Sequence, residues 1–166
     1  MKAVKTFAFL ICLLSCSTLF AQRSGNAEQM EVLKTFNLFF EAMRARDTLA
    51  VKDLLLHPHE SNHFFQQSGF SEKGNWASSA SVGGFLKDLS IADPQTSRCN
   101  YDFKDCSIEV FDKYAILSVK FKCFQGESQL ANCGKYTVRL LKTDQWKLEQ
   151  VYRYVLTDRC AEVGIN

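Results

Sequence analysis

The chain is poor in breakers: two prolines and eight glycines in 166 residues, with no internal repeat and no low-complexity tract. That scarcity argues against disorder, as does an ordinary 23% of charged residues. No two cysteines stand in C-x-x-C spacing, which removes the common zinc frameworks. The one conspicuous apolar run, residues 6–14 (TFAFLICLL), is too short to span a bilayer. Charge is nearly balanced at +2. A balanced chain gives no electrostatic case for binding nucleic acid or an anionic membrane.

What the chain does have is apolar bulk. Apolar residues make up 46%, including fourteen Phe, enough for one sizeable core in a one-domain length. The N-terminus reads as an address instead of fold. Lys2 and Lys5 precede the apolar run, small residues follow, and Ala21-Gln22 offers a cleavage point. The expected organisation is a secretory signal at 1–21 and a single domain at 22–166, secreted or periplasmic. Leu13-Leu14-Ser15-Cys16 also resembles a bacterial lipobox, so membrane anchoring through a lipidated Cys16 is the alternative. Cleavage would bring the net charge to zero and the cysteines from seven to five: Cys99, Cys106, Cys123, Cys133 and Cys160. In an oxidising compartment these pair as disulfides, and an odd count leaves one over.

Asn26 looks like an N-cap, with Gln29 as its capping-box partner. Met30, Leu33, Phe36, Phe40 and Met43 follow at helical steps, flanked by Val32 and Phe39. Asp47 or Thr48 caps a second helix that stops before Pro58. His63 to Gln67 reads as a short strand, and 68–79 as a Gly-punctuated loop. Ser81 caps a third helix through Phe85, Leu86 and Leu89. From Arg98 the period changes to two, with turns expected at Asp112-Lys113, at 126–129 and at Thr143-Asp144-Gln145. Three helices followed by about four antiparallel strands is an α+β pattern. A long curved sheet over helices leaves a cone-shaped hollow, and hollows are where small ligands bind.

The order of elements resembles the nuclear transport factor 2-like superfamily, and most of all its secreted bacterial lumazine-binding-like or SnoaL-like branch. The residues that carry the likeness are Phe39-Phe40-Glu41-Ala42-Met43 with Asp47, Leu56-His57-Pro58, Phe85-Leu86, Asn132-Cys133-Gly134 and Trp146-Lys147-Leu148, with Cys160 near the end. The resemblance implies a cystatin-like roll: a cone-shaped curved antiparallel sheet packed on three N-terminal helices. It also implies a ligand-sized pocket and frequent homodimerisation through the outer face of the sheet. Cys133 and Cys160 stand at family-matching positions, so that pair is the first implied bridge. Cys99, Cys106 and Cys123 then compete for a second, with Cys123–Cys133 the rival connectivity. The superfamily holds isomerases, dehydratases and cyclases beside many non-catalytic members, so function has to come from the site.

His59-Glu60-Ser61-Asn62-His63 spells H-E-x-x-H, which in zinc proteases sits on a helix. Here Pro58 precedes it, Ser61-Asn62 are poor helix formers, and Gln66 and Gly69 stand where a metzincin needs Gly and His. No metal and no cofactor is expected. The pocket residues expected are Tyr152 and Tyr154 on the last strand, Tyr101 on the first, Trp76 from the loop and His63. If the face that bears Trp146 and Leu148 is concave, the two Tyr hydroxyls enter the cavity as donors. Otherwise they are rim hydroxyls in water. Arg139 and Arg153 would then face outward. The expectation is a secreted, non-enzymatic domain for a small apolar or aromatic ligand. An isomerase, dehydratase or cyclase with a pocket acid–base residue is the alternative, and a dimerising structural module without ligand is a third.

Overall fold

The computed structural model describes residues 27–57, 63–71, 73–91, 99–125, 129–157 and 160. The signal segment, Cys16, the Asn26 cap, most of the H-E-x-x-H stretch and the turn at 126–128 lie outside the described residues.

Helix α1 covers 27–45. Val32, Phe36, Phe39, Phe40 and Ala42 form its buried stripe, while Leu33 and Met43 pack at the margins. Met30, expected in the stripe, is 65% exposed. The buried line runs one position to the side, through Val32 and Phe39. At the C-terminal end Arg46 takes the left-handed conformation (φ 58°), and the Asp47 amide donates back to the Ala42 carbonyl at 2.9 Å. Asp47 then caps α2 (Thr48–Leu54), its carboxylate accepting from the Ala50 amide at 2.9 Å. Leu55 is extended and bridges to Leu148, so the chain leaves α2 against the sheet.

Two strands follow: β1 (His63–Ser71) and β2 (Gly74–Ser81). The strand expected at His63–Gln67 extends to Ser71 and pairs antiparallel with β2, which lies where the sequence reads as a loop. The sequence hid β2 because none of its residues is buried, so there is no apolar alternation to see. A polar, small-residue strand is how proteins blunt a sheet edge. Helix α3 (Val82–Ile91) begins at once, with Ser81 Oγ accepting from the Gly84 amide at 3.2 Å. The remaining strands are β3 (Asn100–Phe111), β4 (Tyr114–Gln125), β5 (Gln129–Lys142) and β6 (Trp146–Leu156). The six strands run in the order β2-β1-β6-β5-β4-β3. The sheet is mixed, not wholly antiparallel, because β1 lies parallel to β6.

The architecture is an α+β roll whose concave face packs on α1. Phe36 meets Phe103 at 5.7 Å between ring centroids, and Phe40 meets Tyr136 at 5.1 Å. Leu117, Phe121, Val138, Leu140, Leu148 and Val151 complete the sheet side of the core. Strands β5 and β6 approach so closely at Gly134 that a Cβ there would run into the Tyr154 backbone carbonyl. Two disulfides lock the fold: Cys99–Cys123 and Cys133–Cys160, with Cys106 left free. They put the folded domain in an oxidising environment.

Candidate functional site

A single break in register decides what the concave face presents. Leu140 pairs with Leu148, but the next pair is Arg139 with Gln150, so Glu149 is an extra residue in β6. A bulge of this kind reverses the side-chain alternation beyond it. Trp146 and Leu148 point into the core before the bulge, and Val151, Arg153 and Val155 do so after it. Tyr152 and Tyr154 are thereby turned to the other face.

The hollow between α1 and this face has a volume of about 800 Å³. Its walls are aromatic and aliphatic: Phe40 and Met43 from α1, Phe65 from β1, Phe85 and Leu89 from α3. Phe65 and Phe85 stack at 5.0 Å, and Phe40 stands edge-on to Tyr101 at 5.4 Å. Tyr101 and Tyr136 line it from β3 and β5, and the Cys99–Cys123 bridge fixes the β3 side. Burial, then the neighbouring Tyr101, push the Tyr136 phenol well above its ordinary value, against the opposing pull of the Arg153 guanidinium. Tyr136 is therefore a neutral hydroxyl at any physiological pH.

Arg153 contributes the innermost charge. Its guanidinium carbon lies 5.1 Å from the Phe121 ring centroid and 5.7 Å from that of Tyr136. One Nη donates to Asn132 Oδ1 at 3.2 Å, while Nε is buried with no hydrogen-bond acceptor. Among the described lining residues, Arg44, Arg46 and Glu41 add charge from α1 and its end.

Of the residues expected in the pocket, Tyr101 is in the cavity wall. Tyr152 and Tyr154 are not: they stand 39% and 37% exposed on the convex face, where the Tyr152 hydroxyl hydrogen-bonds Ser68 Oγ. Trp76 belongs to β2, its indole over Gly69, and shares a shallow edge depression with Tyr154. His63 opens β1, exposed, with its carbonyl accepting from Gln150 at 3.3 Å. Arg153, expected to face outward, faces in, whereas Arg139 does face outward and is tied to Tyr114, Gln150 and Glu149. Tyr136, Arg44, Arg46 and Met43 went unnoticed as lining residues. The one available signal was the alternation of β6, which fails at Gln150. Among the described residues no three His, Cys, Asp or Glu side chains gather as metal ligands would. Nor is any described helix long and apolar enough to cross a membrane.

No family model matches the sequence, and no curated protein does. Solved structures do match in shape. A cystatin-like NTF2-like protein from Novosphingobium aromaticivorans superposes with a TM-score of 0.62 over 90% of this chain and 95% of its own, at 10% identity. A proposed dehydratase of the NTF2-like family from Streptomyces avermitilis gives 0.56 over 80% and 96%, at 18% identity. The CaMKII hub of S. rosetta gives 0.57 over 76% and 95%, at 15% identity. The chain therefore has the nuclear transport factor 2-like, cystatin-like fold.

Proposed function

We propose that this chain is a secreted, non-enzymatic small-molecule-binding domain whose ligand occupies the cavity between α1 and the concave face. The observation that carries the reading is the cavity itself. Its volume of about 800 Å³ lies within the range of small-molecule sites, and apolar walls with a few polar groups are what such sites share. The two disulfides support a secreted or periplasmic location, as the apolar N-terminus does. Membrane attachment enters only if Cys16 is lipidated. Glu41, the one carboxylate among the described lining residues, is exposed on α1, which favours binding over acid–base catalysis.

The test is a thermal-shift screen against a diverse metabolite set, with Met43→Trp as a cavity-filling variant. A ligand that raises the Tm of the parent and not of the variant supports the reading. No shift across the set removes it. A dehydratase or isomerase is the second reading, favoured by the two phenols in one cavity and by the likeness to the Streptomyces protein; turnover of a bound ligand would establish it. Homodimerisation through the convex face is proposed on the exposure of Tyr152 and Tyr154 there. Light scattering on the parent and on Tyr154→Asp checks it, a monomeric parent being the result that discards it.

A further inference from the structure

Resting on the reading of the hollow as a small-molecule site, we propose that its ligand is a carboxylate on an apolar or aromatic body, bound at its head by the Arg153 guanidinium. Among the described residues, the charged groups that line the cavity are Arg153 from β6 and Arg44, Arg46 and Glu41 from α1 and its end. Among the described residues no carboxylate pairs with Arg153. Arg139, three register positions away on the convex face, has Glu149 at 3.3 Å together with Tyr114 and Gln150. Among the described residues, the same pair of strands thus neutralises its outer arginine and leaves the inner one without a carboxylate partner.

The inner guanidinium is also held in place. Its plane lies over Phe121 and Tyr136, and Asn132 Oδ1 takes an Nη hydrogen at 3.2 Å. Nε, buried, has no acceptor. The planar edge of a guanidinium suits the two oxygens of a carboxylate. The hydroxyls of Tyr101 and Tyr136 stand in the same cavity. The head group is met by one fork and hydroxyls, a set that fits a singly charged carboxylate better than a phosphate dianion. Beyond it, Phe40, Phe65, Phe85 and Leu89 offer only apolar surface, which specifies the rest of the molecule.

Matched acid and amide pairs test this: phenylacetate, 4-phenylbutyrate and octanoate against their primary amides, with inorganic phosphate as a separate arm. Calorimetry on the disulfide-intact chain is expected to show at least one acid binding between about tenfold and a hundredfold more tightly than its amide, the range of a charge-assisted hydrogen bond. Arg153→Gln should abolish that preference, the acid falling to the affinity of its amide, while Arg139→Gln leaves the preference of the parent intact. Equal affinity for acids and amides overturns the carboxylate assignment and leaves the binding reading standing. Binding of neither class overturns both, and phosphate binding more tightly than every acid replaces carboxylate by phosphate. The acid–amide comparison in the parent decides the matter even if Arg153→Gln fails to fold.

Discussion

Replacing both cysteines of the Cys133–Cys160 bridge by alanine is expected to lower stability by roughly 4 kcal/mol. The bridge spans a sequence separation of 27 with Cα atoms 5.7 Å apart. On the chain-entropy model, closing a loop of that length contributes about 3.5 kcal/mol by restricting the unfolded chain. Cys133 is fully buried beside Leu156 and Phe70, so truncating it adds a small packing loss of under about 1 kcal/mol. For a domain of this size the sum corresponds to a fall in Tm of about 8–16 °C. The assay is urea and thermal unfolding without reductant, run on the parent, both single variants and the double variant. If the bridge stabilises as a unit, each single variant loses nearly all that the double loses, since either substitution opens it. Two single costs that add up to the double would refute the reasoning. So would a double variant within about 2 °C of the parent; in the parent, reductant should cause a loss at least as large, since it also opens Cys99–Cys123.

Four further expectations follow from particular contacts. Gly134→Val should destabilise by about 3 kcal/mol or more, or prevent folding, because β5 and β6 must separate to admit a side chain; a soluble variant with parental urea midpoint would contradict the geometry. Asp47→Ala should cost about 1 kcal/mol in urea unfolding by removing the α2 cap, with Asp47→Ser recovering most of it. The raised Tyr136 phenol stays protonated in the folded state while the unfolded phenol ionises near the usual ~10. Its contribution is therefore complete below that pH and is lost as pH rises towards the folded value. Urea unfolding from pH 8 to 11 should then fall more steeply in the parent than in Tyr136→Phe; equal slopes would count against it. In a chain that starts at Gln22, iodoacetamide should add one label to the unreduced protein, at Cys106, and five after reduction and unfolding. Burial raises the Cys106 thiol, so that label should go on more slowly than on free cysteine.

Where side-chain pattern and local chemistry agree, the fold was readable. The α1 stripe, the Asp47 and Ser81 caps, and the alternation of β4 each state a local preference that the packing then uses. β1 was readable only as its first half, and β2 not at all, because an exposed edge strand carries no apolar alternation and β1 finds its second partner, β6, more than eighty residues away. Met30 shows a smaller failure of the same kind: several apolar lines along α1 have helical spacing, and only the sheet decides which is buried. The Cys133–Cys160 pairing came from family likeness, since five cysteines alone leave the connectivity open.

The site was misread for a more specific reason, and that reason bears on how the cavity works. Strict alternation from Trp146 and Leu148 puts residue 152 and residue 154 on the inner face. The extra residue at Glu149 moves every later side chain across the sheet, so a guanidinium replaces two phenols inside. The interior then holds a fixed cation walled by Phe121 and Tyr136, in place of a pair of neutral donors. On the proposed reading, a neutral pocket would select ligands by shape and hydrogen bonding, whereas a half-buried guanidinium with no carboxylate partner among the described residues would select by charge first. The same shift leaves Tyr152 and Tyr154 on the convex face, where their exposed rings are free to meet another surface. One inserted residue therefore sets both the chemistry of the hollow and the character of the opposite face. Deleting it should exchange the two.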